Sequence, residues 1–131
     1  MIDDPTQPDP ASVRRLILCT GKIYYELAAH KKKHGLDDTA IVRLEQLYPL
    51  PHRKLGRIFD RYSNADDIRW VQEEPANQGA WPFLGLALPE LFPQLQGKIK
   101  RVSRRAMAAP ATGLAKVHEV EQAEVVNSAF A

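Results

Sequence analysis

DIRWVQEEPANQGAW, Asp67 to Trp81, is the stretch on which the fold turns. Its first half, Asp67 to Gln72, is a short apolar run bounded by polar residues, the pattern of a buried strand. Its second half is a polar turn of two carboxylates, two amides, a glycine and an indole. An apolar stretch from about Ala80 to Leu91 follows, in which Pro82 and Pro89 predict a short or irregular helix. Strand, loop, helix is one half of a βαβ unit, and the same order recurs on both sides.

Upstream, Val13 to Thr20 reads as a first strand, broken by Gly21. Lys22 to His34 reads as a helix with Ile23, Leu27 and Ala28 at helical spacing, basic residues in its last turn, and Gly35 as its cap. Thr39 to Leu44 is a second strand. Pro51 to Tyr62 is a second helix carrying Leu55, Ile58 and Phe59. Downstream, Ile99 to Ser103 is a fourth strand, and Leu114 to Phe130 a last helix with Val117, Val120, Ala123 and Val126 as its core stripe. Alternation at this spacing predicts a three-layer αβα domain over residues 13–131, with about four mostly parallel strands. Residues 1–12 hold three prolines and three aspartates and read as a linker. The abrupt IDDP start reads as excision from a longer polypeptide or as an unusual split enzyme.

Bulk properties narrow the function. With 131 residues, one domain is expected. Eighteen basic against sixteen acidic residues leave a net charge of +2, which argues against a nucleic-acid or anionic-membrane partner. No apolar run is long enough to span a bilayer. The single Cys19 excludes an internal disulfide and a CxxC metal site, and suits a reducing, cytoplasmic setting. His30, His34, His52 and His118 are scattered and form no metal motif.

In an open parallel sheet, functional groups collect beyond the carboxyl ends of the strands. Three unusual loops fall there: Thr20-Gly21-Lys22, Glu45 to Pro51, and Glu73 to Trp81. A glycine turn entering a helix can hold an anion, but GxxxxGK[ST] and GxGxxG are both absent, so a tight turn accounts for Gly21 equally well. Glu73 and Glu74 could serve as an acid–base or metal pair, or accept hydrogen bonds from backbone amides or from another domain. Adjacent strand residues point to opposite faces, so the two need not converge. Trp81 suits an interface or core anchor. Lys98, Lys100, Arg101, Arg104 and Arg105 form the densest basic cluster, fit for a phosphate or CoA tail, a solvated edge, or an acidic neighbour.

Five segments in order carry a resemblance: GKIYYEL (21–27), AIVRLEQLYPLP (40–51), WVQEEPANQGAW (70–81), VSRRA (102–106) and PATGLAKVH (110–118). Together they resemble the C-terminal domain of the thiamine-dependent 2-oxoglutarate dehydrogenase (decarboxylase) component. SRRA and the IDDP opening resemble its actinobacterial branch, in which decarboxylase and succinyltransferase are fused. The resemblance implies a transketolase C-terminal-like sheet of order 2-1-3-4, with the family's antiparallel edge strand missing or truncated near Ile2. Thiamine diphosphate and Mg²⁺ belong to other domains of such an enzyme. No catalytic, cofactor-binding or metal residue is therefore carried over. The implied partners are the remaining domains, the second subunit, and dihydrolipoyl succinyltransferase or a fused equivalent. Glu45, Gln46, Tyr48, Glu73, Glu74, Asn77, Gln78 and Trp81 become candidates for a docking seam. Lys22, Arg101, Arg104 and Arg105 become candidates for an anion contact. A stand-alone regulatory module binding CoA or an adenine nucleotide is the alternative.

Overall fold

A computed structural model describes all residues, 1–131. Its strands are β1 (Arg15–Cys19), β2 (Thr39–Arg43), β3 (Asp67–Pro75) and β4 (Ile99–Arg104). Its helices are α1 (Ile23–His34), α2 (His52–Arg61), α3 (Trp81–Leu91) and α4 (Ala115–Phe130). All pairings in the sheet are parallel, in the order β2-β1-β3-β4, as the alternation of elements predicts. None of the helices is long and apolar enough to cross a membrane.

Alternate strand residues feed two cores. On one face Leu16, Leu18, Ala40, Val42, Ile68 and Trp70 pack under α2 and α3. On the other, Ile17, Cys19, Ile41 and Val71 meet α1 and the second half of α4. The first core has 16 buried residues and the second nine, so the α2–α3 face carries most of the apolar burial. Cys19 lies wholly inside the smaller core. Burial, with the Glu45 charge nearby, pushes its thiol up to about 12, which makes it an inert packing residue.

The edge strand is reduced to one antiparallel bridge between Ile2 and Arg43, with paired backbone bonds of 2.8 Å. The remainder of residues 1–12 has no helix or strand, yet it is fastened to the domain and is no free spacer. Asp4 is buried and accepts from Lys31 Nζ at 2.7 Å, Ile41 N at 2.9 Å, and both the backbone and hydroxyl of Thr6. Burial alone would raise its carboxyl; these donors outweigh that and hold it below the ordinary aspartate value.

Other expectations are corrected along the chain. β3 does not stop at Gln72. A register shift between Val71 and Pro75 keeps it paired with β4, and Ala76 N donates to Arg104 O at 3.0 Å, so Glu73 and Glu74 stand on a strand. In α4 the core stripe is Gln122, Val125, Val126 and Ala129, whereas Val117 and Val120 are exposed and Ala123 faces solvent. Only the second half of that helix lies on the sheet. Its far end is held by guanidinium groups from the starts of β1 and β3: Arg69 donates to Ser128 O at 2.7 Å and Ala131 O at 2.6 Å, and Arg15 to Ala131 O at 3.1 Å. Cations there complement the helix dipole. In α3, Pro82 sits in the first turn, where no backbone N–H is required, and the helix extends to Leu91 with Pro89 inside its last turn.

Candidate functional site: the carboxyl edge of the sheet

The polar turn after β3 is built around Gln72, which is 2% exposed. Its Oε1 accepts from the Trp70 indole at 2.9 Å and from the Trp81 backbone N–H at 2.9 Å. Its Nε2 donates to the carbonyls of Gln78 at 2.8 Å and Pro75 at 3.0 Å, with a longer approach to Glu74 O. One side chain thus ties strand, turn and helix start together. Every polar atom it brings inside is paired, which is the condition for burying an amide without penalty. Gly79 makes the turn possible: its φ is +65°, and an added Cβ would lie 3.0 Å from Glu74 Cβ and 3.1 Å from Gln72 Nε2.

Asn77 and Gln78 reach across to the loop after β4. Asn77 accepts from Met107 N and donates to Met107 O, both at 3.1 Å, and Gln78 donates to Met107 O at 2.9 Å. These amides close the domain's own loops. Trp81 is half-buried against the larger core, its ring lies against Gly85, and the Arg101 guanidinium stands 5.9 Å from the ring centroid.

Beside this turn, at the switch point between β1 and β3, lies a second cluster. Lys22 Nζ pairs with Glu73 and, at 3.4 Å, with Glu26. The Glu73 hydrogen bond is the main reason its ammonium is held above the ordinary lysine value. Gln122 from α4 donates to Glu73 at 2.8 Å and to Glu26 at 3.1 Å, and accepts from Arg104 at 3.0 Å. Arg104 also meets His118 Nδ1 at 3.1 Å. Its Nε and the facing Glu121 Oε2 make no hydrogen bond, and form an ion pair 3.7 Å apart. Glu45 completes the edge. It accepts from Arg43 at 2.8 Å, Thr20 Oγ1 at 3.1 Å and Gly21 N at 3.3 Å. Burial opposes its charge, but these donors prevail and hold the carboxyl low.

The candidate residues therefore divide. Glu73 and Glu74 do not converge: Glu73 faces Lys22 and Gln122, while Glu74 is exposed beside Gly79. Gln46 donates within its own exposed loop to Pro49 O at 2.7 Å, and Tyr48 is 85% exposed, its ring edge-on to Phe83. The four cations proposed for one anion do not share a site. Lys22 is paired on the α1 side, Arg101 lies on the opposite face, Arg104 is buried under α4, and Arg105 is exposed beyond β4. The anion position at the start of α1 is filled by the Glu45 carboxylate. Gln72 is missing from the candidates because one glutamine in an apolar run resembles a strand end; the tryptophan two residues before it is the available clue.

Comparison with known proteins supplies what this geometry does not. A family profile described as 2-oxoglutarate dehydrogenase C-terminal matches residues 1–130. The chain belongs to the 2-oxoglutarate dehydrogenase C-terminal domain family. It is 55% identical over 134 residues to the multifunctional 2-oxoglutarate metabolism enzyme of Mycolicibacterium vanbaalenii, covering 99% of this chain and 11% of that protein. The enzyme of the same description from Mycobacterium sp. strain JLS is also 55% identical, over 135 residues, with 100% and 11% covered. The chain thus spans about one-ninth of the length of these curated relatives. A solved structure described as a split gene transketolase, inactive beta4 tetramer, shares the fold with a TM-score of 0.58 at 15% identity, over 88% of this chain and 37% of that one. The actinobacterial, transketolase-like resemblance drawn from the sequence is therefore correct.

Proposed function

We propose that this 2-oxoglutarate dehydrogenase C-terminal domain supports an enzyme that oxidatively decarboxylates 2-oxoglutarate on thiamine diphosphate in the cytoplasm, and performs no chemical step itself. The observation that carries this reading is identity of 55% over nearly the whole chain to enzymes described as acting in 2-oxoglutarate metabolism. The chemistry of the carboxyl edge agrees with a supporting role. Glu26 and Glu73 pair with the ammonium of Lys22, while Glu45, paired with Arg43, takes the free amide of Gly21. Such a set repels a diphosphate, so these residues do not fit thiamine diphosphate and its metal, which this reading assigns to other domains.

Its partners are then the remaining domains of the same polypeptide, a second subunit, and a dihydrolipoyl succinyltransferase or fused equivalent. Docking falls to the carboxyl edge, where Glu45, Tyr48, Glu74 and Trp81 present groups outward. Asn77, Gln78 and Gln46 hold that edge in shape, and Glu73 braces α1 and α4. The test compares 2-oxoglutarate decarboxylation by the full-length polypeptide carrying this domain with the same polypeptide ending before it. The domain by itself is expected to be inactive and its removal to abolish turnover. Undiminished turnover without the domain would overturn the proposal.

A further inference from the structure

Strand β2, TAIVR, lies at an edge of the sheet yet reads like a central strand. Thr39, Ala40, Ile41 and Val42 are all buried, and no charge interrupts the strand before Arg43. The opposite edge, β4, carries exposed Lys100 and Arg101, charges that defend an edge against stray pairing. β2 has no such defence of its own. Leu44 N donates inward to Cys19 O, so the residues whose backbone groups face outward are Thr39, Ile41 and Arg43. Each of their amides is taken. Leu36 O accepts from Thr39 N at 3.4 Å, Asp4 Oδ2 from Ile41 N at 2.9 Å, and Ile2 O from Arg43 N at 2.8 Å. The first residues of the chain thus close most of this edge. Their backbone pairs only at Ile2; at Ile41 a carboxylate stands where a neighbouring strand would offer a carbonyl.

We propose that β2 is a latent strand-pairing surface for a second copy of this chain, and that residues 2–4 are the guard that keeps it closed. Self-pairing fits the edge. In an antiparallel pair centred on Ile41, Ile41 faces itself and Thr39 faces Arg43, so each outward N–H meets an outward C=O of the other copy. Such a pairing is isologous and closes at two copies, because the charged β4 edge does not extend it. The guard opposes pairing in two ways. It occupies the outward amides, and it sets charge beside them. Asp4 Oδ2 also accepts from Lys31 Nζ at 2.7 Å, with both side chains more than nine-tenths buried. An incoming strand has to part that ion pair, which is costly for buried charges. Asp3 fastens the same segment to the other helical layer, accepting from Tyr62 Oη and Arg61 Nη1 at 2.9 Å each. Pro5, which has no N–H, and the turn in which Thr6 N donates to Asp4 Oδ1 at 2.9 Å keep the guard from growing into a full strand with an open edge of its own.

Sedimentation velocity of this chain over a range of concentrations tests this. Two double variants differ only in the group at position 4. Asp4→Leu with Lys31→Met removes the acceptor for Ile41 N, whereas Asp4→Asn with Lys31→Met keeps one, and neither leaves a buried charge unpaired. The unaltered chain and the Asp4→Asn variant are expected to sediment as single chains throughout. The Asp4→Leu variant is expected to shift to twice that mass as concentration rises. Adding Arg43→Pro to it removes an outward amide and no bond to β1, and is expected to restore the single chain. An Asp4→Leu variant that stays single would overturn the proposal, as would a dimer that survives Arg43→Pro. So would an unaltered chain or Asp4→Asn variant that pairs as readily as the Asp4→Leu variant. Should the Asp4→Leu variant not fold, amide exchange in the unaltered chain decides. The Ile41 amide is expected to exchange roughly a hundred-fold more slowly than that of Gly113 in the exposed loop before α4, and equal rates would mean that no guard is in place.

Discussion

Gln72 and Arg104 occupy neighbouring strands at the same end of the sheet, and both are long polar side chains almost fully buried. Gln72 faces α3 and is saturated, with two donors on its oxygen and three carbonyls about its nitrogen. Arg104 faces α4 and is not: two groups meet Nη2, while Nε and the opposing Glu121 oxygen make no hydrogen bond and face each other only as an ion pair at 3.7 Å. The difference follows from what each joins. Gln72 links three segments within fifteen residues of sequence, whose positions the turn at Gly79 fixes. Arg104 links β4 to a helix that meets the sheet only along its second half, so its partners are set by packing at a distance. A saturated polar hub specifies one geometry; a partly satisfied one adds less.

That contrast can be broken by substitution. Gln72→Leu leaves the Trp70 indole, the Trp81 amide and the Pro75 and Gln78 carbonyls without partners, and is expected to cost about 4 kcal/mol. Urea unfolding measures it. Gly79→Ala asks a side chain to adopt φ of +65° against Glu74 and Gln72, and is expected to cost about 2 kcal/mol in the same assay. Arg104→Met combined with Glu121→Gln removes two hydrogen bonds and a loosely met ion pair without leaving a buried carboxylate uncompensated, so a loss of only about 1 kcal/mol is expected. A loss for that double variant as large as that for Gln72→Leu would erase the distinction between the two clusters.

The same contrast explains what was legible in the sequence. The strands and their order follow from short apolar runs and the rule for parallel crossovers, and β1, β2 and β4 fall close to the expected bounds. The three loops at the carboxyl edge follow from strand direction alone, and the Lys22–Glu73 pair joins two of them. Side-chain partners do not follow. Asn77 and Gln78 look like groups held out for another domain, yet Met107, thirty and twenty-nine residues on, takes both. The α4 stripe departs from the apolar period because Gln122, a polar residue, holds a core position that Glu26, Glu73 and Arg104 make tolerable. Apolar periodicity has no means of seeing such a residue. Likewise the bulge after Val71 keeps two glutamates on a strand where their composition reads as a loop.

Hydrogen exchange in this chain by itself tests most directly whether the QEEPANQGAW turn is complete within the domain. If Gln72 Oε1 accepts from both the Trp70 indole and the Trp81 amide, those two protons exchange only on global unfolding, as slowly as the amides of β1. Exchange of either proton at the rate of an open surface loop would contradict the account, and would mean that the turn awaits a partner to close it.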